Sequence, residues 1–155
     1  MKIINIFLKC AMLLFCSLHL VACSSDDENE ELMLNSELIG VWESVSERGW
    51  EKVDGEIRTE WEEPVKDIRV EFKNNGTLIS YEYHDDKWNM DESAKWESKD
   101  GKIYSYYYED DELIEETVTI SKLTSTSLII YMSFKEVYEG VTYETWSEME
   151  YRKVK

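Results

Sequence analysis

Outside one class, residues able to do chemistry are few. Beyond the first two dozen positions the chain has a single histidine, His84, followed by Asp85 and Asp86. An imidazole beside carboxylates can serve as a general base or as one metal ligand. A His/Cys metal centre needs further partners of those types, and none follow. Ser80 lies near His84, so a Ser–His–Asp set is formally available, yet there is no Gly-x-Ser-x-Gly elbow and no Gly-rich phosphate loop. A solvated histidine at a strand end is the better reading. Carboxylates are abundant, 34 in all, so a glycosidase-like pair would arise by chance and carries little information. Asp85–Asp86 and Glu109–Asp110–Asp111–Glu112 offer hard oxygen ligands without the spacing of a calcium loop, and read as solvated turns. No metal, cofactor or catalytic residue is expected, and the chain is not read as an enzyme.

Aromatic side chains are the enriched group that could bind something. The run KIYSYYYEDD, residues 102–111, places Tyr104, Tyr106 and Tyr108 on one strand face and Tyr107 on the other. Tyr81 and Tyr83 lie upstream, with Trp88 and Trp96 between. Such rings combine apolar area with a polar handle, which suits sugars, apolar ligands or a protein surface. Tyr81, Tyr83, Trp88, Trp96, Tyr104, Tyr106 and Tyr108 are therefore the candidate ligand or partner contacts. The competing reading is that they fill the inside of a small barrel.

The elements that must position these rings are strands. IRVEFK, residues 68–73, alternates Ile68, Val70 and Phe72 with charged residues, the pattern of a half-buried strand. SLIIYMSFKEV, residues 127–137, is longer and more apolar. TYETWSEMEYRK, residues 142–153, sets Tyr143, Thr145, Met149 and Tyr151 against Glu144, Trp146, Glu148, Glu150 and Arg152. Turn signals at Asp54–Gly55, Glu63–Pro64, Asn75–Gly76, Asp85–Asp86, Asp100–Gly101, Asp110–Asp111, Thr124–Ser125 and Glu139–Gly140 cut the chain into nine extended segments. Short connections make an antiparallel meander, and a meander this long must deal with two sticky edges. The expected fold is all-β: an up-and-down barrel of about eight to nine strands, with a two-sheet sandwich as the alternative.

Ahead of the strands, Lys2 and Lys9 surround an apolar run too short to span a bilayer, which ends in Leu20–Val21–Ala22–Cys23. This resembles the lipobox of bacterial lipoproteins. The resemblance implies removal of residues 1–22, lipid on Cys23 and anchoring to a membrane by several acyl chains. The acids from Asp26 to Glu31 resemble the export signal of surface-exposed Bacteroidota lipoproteins, and in their own right read as a solvated tether over residues 23–36. The expected location is the outer membrane at the cell surface, with a periplasm-facing site as the alternative. Cys10 and Cys16 would leave with the signal, so residues 37–155, read as the folded domain, hold no thiol and no disulfide. Loss of Lys2 and Lys9 leaves 15 basic against 34 acidic side chains, a net charge of −19. Nucleic acid and anionic lipid surfaces are thereby disfavoured as partners.

The first strand reads LIGVWESVS, and Gly40–Val41–Trp42 resembles the Gly-x-Trp signature that opens lipocalin barrels. With the lipobox, the meander and the closing EMEYRKV, the whole mature chain resembles the lipocalin-like lipoproteins of Bacteroidota. The resemblance implies a barrel plugged at one end by Trp42 and open at the other. Trp42 is expected beside the last strand, with the Arg152 guanidinium over its indole and Lys153 as the fallback. The function expected is binding: an apolar or glycan ligand held in the open mouth, or, alternatively, a packed barrel that meets another protein.

Overall fold

The computed structural model describes residues 35–109 and 111–155. The expected signal peptide, Cys23 and most of the tether lie outside the described residues. The nine strands are β1 (Gly40–Val53), β2 (Glu56–Pro64), β3 (Ile68–Phe72), β4 (Thr77–His84), β5 (Lys87–Lys99), β6 (Lys102–Glu109), β7 (Glu112–Leu123), β8 (Ser127–Tyr138) and β9 (Val141–Lys153). Each of the eight sequence breaks falls at or beside the end of a strand. In the tight turns both central residues take positive φ, at Asp54–Gly55, Asp100–Gly101 and Glu139–Gly140. That geometry matches the twist of the flanking strands. Asp85 and Asp86 do the same without a glycine, which short side chains able to bond their own backbone tolerate.

Strands β3 to β9 pair antiparallel in chain order, and β9 returns to pair with β1 from Trp42 to Val53. On its other edge β1 pairs with β3 through Gly40–Glu43, and this closes a barrel of eight strands. β2 is a ninth, laid along the same edge of β1 farther on, with Ser46–Val53 opposite Glu56–Pro64. Pro64, which has no amide hydrogen to give, ends β2. The junction is held by Ser44, only 4% exposed: its Oγ accepts from the Ile68 amide at 3.2 Å and donates to the Ile68 carbonyl at 3.0 Å. The sandwich alternative is set aside by the β1–β9 ladder.

The core fills one end. Leu38, Trp42, Phe72, Trp96, Ile103, Leu128 and Tyr151 are buried together, with Phe72 and Trp96 edge to face at 4.9 Å. The Trp42 indole N–H donates to the Leu38 carbonyl at 2.7 Å, so the ring is buried without an unsatisfied donor. Gly40 has φ +134° and lies against the Lys155 backbone, where a Cβ would collide. The residue covering Trp42 is Lys153, whose Nζ lies 4.9 Å from the ring centroid. This corrects the expectation for Arg152. The register places Trp42 opposite Lys153 and Glu43 opposite Arg152, so Arg152 faces outward, 3.9 Å from the Glu43 carboxylate.

Towards the other end the wall is less continuous. β7 meets β8 only through Thr119–Leu123 and Leu128–Tyr131, and β5 meets β6 only through Lys95–Lys99 and Lys102–Tyr106. Above those ladders three pieces stand apart: the four-stranded blade β2-β1-β9-β8 and the hairpins β4–β5 and β6–β7. This end is the mouth.

Candidate functional site

Strand parity decides which side chains see the lumen, because every second residue faces in. Counting from buried Leu128 along β8 gives Ile130, Met132 and Phe134; counting from Tyr151 back along β9 gives Met149, Ser147 and Thr145. Ile130 and Met149 pack on the core as an apolar floor, with Val70, Leu78, Val118 and Ile120. Met132 and Phe134 face inward yet are 46% and 54% exposed, so the space above the floor is open. Their apolar surface is accessible to a guest.

Carboxylates also enter this space. Glu47 of β1 pairs in register with Met149 and Glu63, and burial raises its carboxyl above the usual range despite a hydrogen bond from Trp61. Across the barrel Glu92 of β5 and Glu116 of β7 flank β6. Between them Tyr107 donates from its hydroxyl to Glu116 Oε1 at 3.1 Å. Burial is the main cause raising the Glu92 carboxyl, followed by the charges of Glu116, Asp91 and Glu109. Tyr107 is likewise pushed up, by burial and then by Glu116.

The sequence-predicted aromatics stand elsewhere. Trp96 is wholly buried in the core, with its indole N–H donating to the Lys73 carbonyl at 3.2 Å. Tyr81, Tyr83 and Trp88 face outward: Tyr81 donates to Glu71 Oε2 at 2.9 Å, and Tyr83 lies 5.2 Å from Trp88. The Arg69 guanidinium covers Trp88 at 4.1 Å. Tyr104, Tyr106 and Tyr108 are also on the outer face, where the Tyr106 hydroxyl bonds Glu97 at 2.8 Å and is pushed up to about 12, chiefly by that bond. No two of the seven meet inside the lumen.

His84 is exposed at the β4–β5 tip, its Nδ1 3.3 Å from Asp85. Among the described residues no three His, Cys, Asp or Glu side chains are grouped to hold a metal. Sequence reading missed the acid pair around Tyr107. Its signal was parity: two steps back from Ile120 and Val118 lies Glu116.

Among solved structures the chain is similar to an uncharacterized protein from Bacteroides eggerthii, at 16% identity and TM-score 0.49 over 76% of this chain and 99% of that one. A lipocalin-like protein from Bacteroides uniformis matches at 14% identity and TM-score 0.47, covering 77% and 100%. Insecticyanin from the tobacco hornworm Manduca sexta matches at 10% identity and TM-score 0.48, covering 77% and 66%. No curated protein matches. The family model described as "Lipocalin-like domain" matches residues 38–130, most of the barrel, and the chain belongs to that family.

Proposed function

We propose that this chain is a lipid-anchored binding protein of the outer membrane, displayed at the cell surface, which holds a small, largely apolar guest in the lumen of its barrel. The observation that carries the reading is the inward yet exposed surface of Met132 and Phe134 above a closed floor. Apolar side chains left open inside a barrel gain roughly 25 cal/mol per Å² when a guest covers them. The lipobox at Cys23 and the acids after it support the anchor and its outward orientation.

Native mass spectrometry of the protein purified from its own host tests the lumen. A co-purifying small molecule, lost in Phe134→Arg, is expected; a mass equal to the lipidated chain alone, together with no binding of apolar dyes, would overturn it. The anchor is tested separately. Labelling with a palmitate analogue should mark the wild type and not Cys23→Ala, and protease added to whole cells should degrade the displayed domain.

A second reading rests on the outer face near the mouth, where Met90, Tyr108 and Leu113 are exposed. There the chain would meet another protein. Substituting all three by Ser should then abolish partner capture and leave the lumen guest in place.

A further inference from the structure

The charge of the lumen is one-sided. Glu47 stands on one wall and Glu92 and Glu116 on the opposite wall, while Glu82 and Glu136 face inward nearer the rim. On the eight strands of the closed barrel, basic residues of inward parity occur only at the two extremes. Lys153 lies under Trp42 at the closed end, and Lys87 sits beside His84 at the tip of the β4–β5 hairpin. Between floor and rim none of the described Lys or Arg residues of those eight strands faces in. The other Lys and Arg residues of the barrel wall face outward, as Arg48, Lys52 and Arg69 do when they cover Trp146, Trp50 and Trp88. Chance does not readily give this pattern, because the same strands carry cations freely on the outer face.

Carboxylates alone would select nothing. Here they share the lumen with the exposed apolar side chains of Met132 and Phe134, and that combination narrows the chemistry of the guest. An anion entering would lose water and meet only like charge. A neutral apolar guest would cover Met132 and Phe134 but leave the carboxylates facing apolar surface. A cation with an apolar body satisfies both: its body covers Met132, Phe134 and Ile130, and its head meets the carboxylates. The Tyr107 ring, between Glu92 and Glu116, adds an aromatic face against which an ammonium or guanidinium can settle.

We propose that the lumen selects organic cations, an amine or guanidine head on an apolar body, with Glu92, Glu116 and Tyr107 as the head-group site and Met132 and Phe134 as the wall for the body. This rests on the reading of the lumen as a ligand site and names the class of ligand it takes. Charge-assisted contacts to two carboxylates make the cation bind roughly tenfold or more tightly than its neutral counterpart.

Three probes of one shape and different charge test it: phenylethylammonium, phenylethanol and phenylacetate. Each is titrated by calorimetry into the full chain held in nanodiscs of zwitterionic lipid, with empty nanodiscs as the blank. The ammonium probe is expected to bind best and phenylacetate not at all. In Glu92→Gln/Glu116→Gln the preference of cation over alcohol should collapse to within about threefold, with alcohol binding retained. The outward-facing Glu60→Gln/Glu62→Gln controls for attraction by net charge and should keep the preference. Equal binding of alcohol and cation by the wild type, or a preference lost equally in the outward variant, would overturn the selectivity while leaving the lumen a ligand site. Failure of all three probes to bind would instead remove the lumen reading on which the proposal stands. Circular dichroism confirms that each variant retains its strands.

Discussion

At the scale of single residues, one position of register separates a plug from a surface charge. Both Arg152 and Lys153 were within reach of Trp42 on the sequence alone, because the ladder between first and last strands has no turn to fix it. The structure sets Lys153 over the indole at 4.9 Å and leaves Arg152 68% exposed beside Glu43. Lys153→Met should therefore lower the melting temperature by an amount matching about 0.5–2 kcal/mol, whereas Arg152→Ala should change it little, since an exposed ion pair contributes about 0–1 kcal/mol. Thermal melts followed by circular dichroism at one ionic strength compare the two. Glu92 makes a second prediction, in the opposite direction. Its carboxyl is raised by burial and by neighbouring acids, so its ionised form is disfavoured in the fold. A raised folded value gives stability that is present when the group is protonated and is lost as pH climbs above the ordinary carboxylate value of 4.5. Glu92→Gln should thus be more stable than the wild type at pH 7, with the difference shrinking as pH falls towards 4.5 and nearly absent below it. A destabilised variant at neutral pH would contradict this account of the lumen acid.

At the scale of elements, the turns were the readable part. Four Gly-containing pairs, with the Asp, Pro and Thr–Ser breaks, located all eight connections because hairpins demand positive φ and polar corners. The role of β2 was not readable. Glu63–Pro64 looked like an ordinary bend, and only the pairing shows that β2 and β3 share one edge of β1. The outward position of six candidate aromatics had the same cause: alternation gives two faces without naming the inner one, and that needs a buried partner such as Ile103 or Trp96. Two glycine and serine sites on β1 follow from its crowded position. A Cβ on Gly49 would meet the Trp61 ring and lie 2.6 Å from the Trp146 carbonyl oxygen. Gly49→Ala should cost about 1–3 kcal/mol in urea unfolding, as overpacking against backbone does. Ser44→Ala strands the Ile68 amide and carbonyl at the start of β3, and should cost about 1–3 kcal/mol in the same measurement.

For the whole molecule, charge and closure dominate. A formal net charge of −17 for the full sequence, or −19 after loss of the signal, makes the compact state repel itself. Moderate sodium chloride should accordingly raise the melting temperature through screening, most of the gain arriving below about 0.15 M as the Debye length shrinks to about 8 Å. A flat response would mean that local pairs such as Lys135–Glu144, at 2.7 Å, already neutralise the surface. Closure was predictable from the need to bury two edges, and the floor from Gly-x-Trp. An open mouth was implied by the resemblance, but not which inward residues stay uncovered, because that depends on how far the strands splay. The uneven lacing of the wall has a consequence of its own. With β7 and β8 joined only near their lower halves, the rim behaves as a calyx whose petals part along a slit. Parting that slit breaks no ladder bond, and backbone amides bordering it should exchange with deuterium while those of the girdle keep their hydrogens.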